Sequence, residues 1–220
     1  MSHEKQLTVN IIGDEMGAYS VAYSPVSNFG IQAGAGHKSG HDNGTDESYF
    51  NPNISAGYYK MVAPNSLLEV YGGAGVYTYK NNIDVPVKKI NFSNYFIQPS
   101  FAFLNKNIDV AFTIRADYFK RNNTIINSNQ PPDTSTFQYS FLKYTNYLFI
   151  QPGITVRAGI KNVKFQLQVS KSYPFNKKYN SIYGLMYSSN INPGYLSDNK
   201  VKLAIGIMVD FEDITGSNKK

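Results

Sequence analysis

The chain has 220 residues and a formal net charge of +6, from 21 Lys+Arg against 15 Asp+Glu. It has 18 Tyr and 14 Phe but no Cys and no Trp, which excludes a disulfide-stapled mini-protein and a cysteine zinc site. Aromatics at 15% with charged residues at only 16% argue against wholesale disorder, and 42% apolar residues with a mean hydropathy of −0.34 require fine interleaving of apolar and polar positions.

That interleaving has a period of two, the signature of strands with two unlike faces. In chain order, turn signals divide the sequence into strands predicted at 5–12, 16–24, 29–38, 50–62, 66–79, 93–104, 107–120, 146–160, 163–172 and 200–211. In the seventh, Ile108, Val110, Phe112, Ile114, Ala116 and Tyr118 oppose Asp109, Ala111, Thr113, Arg115, Asp117 and Phe119. In the eighth, Leu148, Ile150, Pro152, Ile154, Val156, Ala158 and Ile160 oppose Phe149, Gln151, Gly153, Thr155, Arg157 and Gly159. The ninth sets Val163, Phe165, Leu167 and Val169 against Lys164, Gln166, Gln168 and Ser170. The last sets Val201, Leu203, Ile205, Ile207, Val209 and Phe211 against Lys202, Ala204, Gly206, Met208 and Asp210. No segment reads as a helix, and no apolar run is long enough for a transmembrane one.

The connections alternate in length. Short turns fall at 25–28, 63–65, 105–107 and 161–162, and long loops at 39–49, 80–92, 121–145 and 173–199, with a tail at 212–220. Tight turns on one side and long loops on the other describe an up-and-down antiparallel barrel in one domain spanning 1–220, of about ten strands, with eight also compatible. Phe96-Ile97-Gln98-Pro99 recurs as Phe149-Ile150-Gln151-Pro152, with Phe50-Asn51-Pro52 a looser copy, and a β-bulge is expected near Pro99 and Pro152.

The face that looks outward decides the environment. A soluble lipocalin-like barrel, which would bind an apolar ligand, encloses Leu, Ile and Phe; a membrane barrel inverts this. The polar faces here are rich in small residues (Gln32, Gly34, Gly36, Ser55, Gly57, Gly73, Gly75), whereas a soluble exterior carries more Lys and Glu. Most of these strands, at about 10–14 residues, suit a tilted bilayer crossing. Tyr77, Tyr79, Phe92, Tyr95, Tyr118, Phe119, Tyr144, Tyr147 and Phe211 cluster at strand ends, where aromatic girdles are expected. The reading is therefore an inverted, transmembrane β-barrel.

These features resemble the small outer-membrane β-barrel proteins of Gram-negative bacteria, the OmpA-membrane-domain and OmpX-like class in the broad sense, and most closely Asn/Tyr-rich barrels of the Bacteroidota type. The residues carrying the resemblance are Ala22-Tyr23-Ser24-Pro25 before a tight turn, Tyr71-Gly72-Gly73-Ala74-Gly75, the two Gln-Pro strands and the terminal Val209-Asp210-Phe211. In place of a terminal aromatic, Glu212–Lys220 follow Phe211. The resemblance implies a bacterial outer-membrane location, a removed signal peptide, a possible lipid anchor upstream of Met1, and outward-facing long loops. It implies outer-membrane lipid or lipopolysaccharide, and other outer-membrane proteins, as partners.

Candidate chemistry is sparse. A lumen charge network is expected from Glu69, Arg115, Asp117, Arg157, Lys164, Lys202 and Asp210, because isolated charges in a narrow interior must pair. Such a network either plugs the barrel or lines a narrow pore for small solutes. His37 and His41, with Asp46 and Glu47 nearby, could edge an active site or a weak metal site, but Gly-rich spacing fixes no geometry and a solvated loop is the simpler account. No catalytic, cofactor or metal signature appears, so the expectation is a non-enzyme without cofactors or metal. Tyr173, Phe175, Lys177, Lys178, Tyr179, Tyr183 and Tyr187 interleave rings with positive charge, as candidate loop residues for binding glycans or lipopolysaccharide, or for packing on each other. Nucleic acid is not an expected partner. The functional expectation is a structural, adhesive or accessory barrel, acting through its loops or as a subunit of a larger complex.

Overall fold

The computed structural model describes residues 7–13, 17–42, 45–81, 87–126, 146–160, 163–175 and 201–211. All described regular structure is β. The strands are β1 (Leu7–Gly13), β2 (Gly17–Val26), β3 (Phe29–Asp42), β4 (Thr45–Ala63), β5 (Ser66–Asn81), β6 (Val87–Leu104), β7 (Ile108–Ile126), β8 (Asn146–Ile160), β9 (Val163–Lys171), β10 (Tyr173–Pro174) and β11 (Val201–Phe211).

Every strand pairs antiparallel with its chain neighbour from β1 to β9, and the last strand closes the ring. β11 pairs with β9 along one edge and with β1 along the other, and β9 pairs with β8. The two-residue β10 continues β9 in phase against β8, since Gly153 faces Ser170 and Ile150 faces Tyr173. Among the described residues the sheet thus has ten staves and no free edge along its paired length, the up-and-down barrel expected from the connections.

Two neighbouring rungs show how the period-two sequence is used. Leu68, Phe101, Phe112, Ile154, Val169 and Leu203 lie side by side across six strands, and their side chains face outward. One residue along, Glu69, Ser100, Thr113, Gly153 and Ser170 form the next rung, on the enclosed face. Ile54, Phe165 and Ile205 are 60%, 65% and 62% exposed, while Asp109 and Asp117 are 4% and 5% exposed. At these positions apolar residues are outside and carboxylates inside, the inverse of a lipocalin-like interior.

Pairing runs farther than the apolar pattern. Residues 39–42 pair with 45–48, so the long loop expected at 39–49 is the end of a hairpin. Likewise β6 starts at Val87 and β7 runs to Ile126, taking over parts of the loops expected at 80–92 and 121–145. Ladder bonds join backbone groups, so Ser, Asn and Lys side chains do not end them. β4 to β7 consequently reach 19, 16, 18 and 19 residues. The rest of the 121–145 and 173–199 loops, and the 212–220 tail, lie largely outside the described residues.

The bulges expected at Pro99 and Pro152 are absent, and the prolines act differently. The β6–β7 ladder passes from Ile97↔Ala116 to Ser100↔Thr113 without a phase change, skipping Gln98 and Pro99. Pro152 separates β9 from β10 in the same way, and the β4–β5 ladder skips Asn51 and Pro52. A missing N–H deletes bonds on one side of a strand but adds no residue, so the phase survives. Register shifts occur instead between Tyr23 and Val26, Met61 and Ala63, Val87 and Lys89, and Asn91 and Phe92. At the β2–β3 turn, Asn28 takes φ 64°, a left-handed conformation that asparagine tolerates better than most residues.

Candidate functional site

The enclosed face is the place where this chain gathers its ionisable and polar side chains, and it is layered from the tight-turn end to the loop end. Near the turns, the Lys164 ammonium donates to Asp109, 55 residues away in sequence, with both side chains largely buried. Asp109 lies just after the β6–β7 turn and also accepts from the Asn105 backbone N–H at 3.3 Å. Arg157, directly opposite Asp109 in the β7–β8 ladder, sends its Nε to Gln166 Oε1 at 2.8 Å. Glu69 accepts from Ser100 Oγ at 2.9 Å across β5 and β6. On β2, Ser24 Oγ lies 2.6 Å from the Tyr59 hydroxyl and 3.0 Å from both the Val26 and Phe29 carbonyls.

The middle layer centres on Asp117. Arg115 Nε donates to both carboxylate oxygens, at 2.9 and 2.8 Å, and Asn94 Nδ2 donates to Oδ1 at 3.0 Å. The guanidinium carbon lies 3.7 Å from the centroid of the Phe96 ring, a close cation–π contact. Gln151 Nε2 donates to Ser170 Oγ at 2.8 Å on the neighbouring strands. The small inward residues make this crowding possible. A Cβ on Gly57 would come within 2.6 Å of the Tyr71 ring, and one on Gly73 within 2.5 Å of the Phe96 ring. These glycines seat aromatic rings inside the barrel.

The loop-end layer is aromatic. Tyr77, Tyr79, Phe92, Phe119, Tyr147 and Phe149 are all buried there, with Ile90 beside them. Phe92 meets Phe119 edge-to-face at 6.4 Å and Tyr147 at 5.9 Å, and Phe119 meets Phe149 at 5.9 Å. Tyr77 joins through Phe92 at 6.1 Å and Phe119 at 6.4 Å. The aromatic girdle expectation is therefore corrected for Tyr77, Tyr79, Phe92, Phe119 and Tyr147, which point inward. The parity of the strands requires it, since Tyr77 and Tyr79 share a face with Glu69 and Gly73, and Phe92 shares one with Asn94. Tyr95 and Tyr118 do face outward, with centroids 6.5 Å apart. The side chains of Tyr144 and Phe211 lie outside the described residues.

Of the seven residues named for a lumen network, Arg115 and Asp117 meet each other, while Glu69, Arg157 and Lys164 each take another partner. The side chains of Lys202 and Asp210 lie outside the described residues. The partners that sequence reading missed are Asp109, Asn94, Gln166, Ser100 and Phe96. Asp109 was visible on the polar face, but its match to Lys164 requires the registers of β7, β8 and β9 together.

Of the loop candidates, Tyr173 faces outward under the Lys171 ammonium, 5.1 Å from the ring centroid, and the Phe175 N–H donates to the Leu148 carbonyl at 2.9 Å. Lys177, Lys178, Tyr179, Tyr183 and Tyr187 lie outside the described residues. His37 is exposed on β3, opposite Phe50. The side chains of His3 and His41 are likewise outside them. Among the described residues, no group of three or more His, Asp or Glu side chains converges as a metal site would require.

The described lumen thus holds charges on protein partners and, at its loop end, rings in mutual contact. A scan against protein-family models finds no match, and a search of curated proteins finds no significant relative.

Proposed function

We propose that the chain is a non-enzymatic outer-membrane β-barrel of the Gram-negative type, closed to solute flow. In this reading it serves a structural, adhesive or accessory role through its loop end or as a subunit of a larger outer-membrane assembly. The observation that carries the reading is the inverted polarity. A ring of Leu, Ile, Val and Phe faces outward around the barrel while paired carboxylates are enclosed. Contiguous apolar exterior on that scale is far beyond what a monomeric soluble protein presents to water, and hydrocarbon is the solvent that matches it. Ring closure also supports the reading, because a strand crossing lipid must satisfy its backbone through neighbours on both sides.

The paired charges and packed rings inside the barrel support the closed state. The Lys164–Asp109 and Arg115–Asp117 pairs occupy the turn end and the middle, and the rings around Phe92 occupy the loop end. The test is refolding from denaturant with and without amphiphile. The chain should fold only in detergent micelles or vesicles, migrate differently before and after heating, and give no unitary current in a planar bilayer. A monodisperse, folded protein in plain buffer would overturn the membrane reading. Reproducible unitary conductance would replace the closed barrel with a narrow channel.

A further inference from the structure

Across β5 to β9 the outer wall of the barrel holds an open groove of about 620 Å³. Its floor is the rung of Pro99, Ile114 and Pro152, and its walls include Phe112 and Ile154. The groove has a structural cause. Pro99 and Pro152 project less than the flanking residues, and both ladder gaps, β6 to β7 at Gln98–Pro99 and β8 to β9 at Gln151–Pro152, open into it. At one rim stands Lys171, the residue at which the outward face of β9 changes from the apolar run Val163, Phe165, Leu167, Val169 to a cation. Its ammonium is held over the Tyr173 ring.

We infer that this groove binds an anionic phospholipid, one acyl chain lying along the proline rung and the phosphate meeting Lys171. The inference rests on the membrane reading above. Acyl chains are as apolar as the wall, so groove contacts supply shape and van der Waals packing, with no net hydrophobic gain over ordinary lipid. Selection between lipids therefore falls on the charge. A lysine on the outward face, with a tyrosine ring beside it, snorkels along an apolar wall toward the phosphate head groups. Lys60 is a built-in control. It faces outward beside Leu68, in the same rung as the groove wall, but does not line the groove.

The experiment is native mass spectrometry of the refolded full chain, released from detergent containing equimolar phosphatidylglycerol and phosphatidylcholine. The wild type should retain phosphatidylglycerol about fivefold over phosphatidylcholine, the factor that one basic residue is worth near an anionic head group. Lys171→Gln should bring that ratio to unity, while Lys60→Gln leaves it unchanged. Pro152→Leu fills the floor and restores a ladder donor, so it should lower retention of both lipids without harming the fold. Equal retention of the two lipids by the wild type, or an unchanged preference in Lys171→Gln, would overturn the assignment. A chain that inserts into vesicles yet shows no preference removes only the groove proposal. One that folds without amphiphile removes the membrane reading with it.

Discussion

The two ends of the lumen solve the same packing problem by opposite means. At the tight-turn end, long polar side chains reach across strands to fixed partners: Lys164 to Asp109, Arg157 to Gln166, Ser100 to Glu69. At the loop end, Phe92, Phe119, Tyr147 and Phe149 fill the space with ring edges. The first arrangement is specific and brittle, because a buried charge without its partner is worse than no charge at all. The second is tolerant, because a lost ring leaves space that its neighbours can partly close. The difference shows that an inverted barrel does not need a uniformly polar interior; it needs one in which the enclosed charges are paired.

Substitution should separate the two ends, with urea unfolding in detergent micelles as the common measurement. Lys164→Met should have the largest effect, about 3–5 kcal/mol, by stranding the Asp109 carboxylate. Adding Asp109→Leu to that variant should recover most of the loss, and failure to recover would remove the distinction between the ends. Phe92→Ala should follow at about 3 kcal/mol, the low end of the range for emptying an aromatic site, and no second substitution of a polar group should rescue it. The outer wall provides a third comparison. Ile154→Lys places a charge on the exposed apolar band and should cost about 2–4 kcal/mol in a bilayer. Thr155→Lys, one residue along on the enclosed face, should act through crowding beside Gln168 and Ala111, its ladder neighbours. Identical losses and identical lipid dependence at the two positions would contradict the inside-out assignment. The smallest effect should come from Ser24→Ala, about 1 kcal/mol, for the hydrogen bonds it shares with Tyr59 and the turn carbonyls.

The architecture was legible because one physical rule governs it everywhere. Alternation in Ile108–Phe119 and Val163–Ser170 assigned each residue to a face without knowledge of any contact, and the eighth strand was placed at 146–160, as observed. Ladder extent was less legible. Nothing in Ser39–Asp42 or Thr45–Ser48 looks apolar, yet the backbone pairs through both. For the loop-end rings strand-end position points to the wrong side, whereas parity places Tyr77 and Phe92 in phase with inward residues. Partner choice was the least legible level. Arg115 and Asp117 are two residues apart on one face and could be matched by eye, whereas Lys164 and Asp109 meet only after three strands are set in register.

β11 is the keystone, since it joins β9 to β1. Until residues 201–211 are available, β1 and β9 remain bare rims of an unfinished cylinder, each with a row of unanswered amide and carbonyl groups beside a greasy outer surface. Without β11 this arrangement leaves both rims unpaired. A copy that stops before Val201 should pair with other copies through those rims, and a chaperone that keeps the nascent protein apart has two such rims to shield.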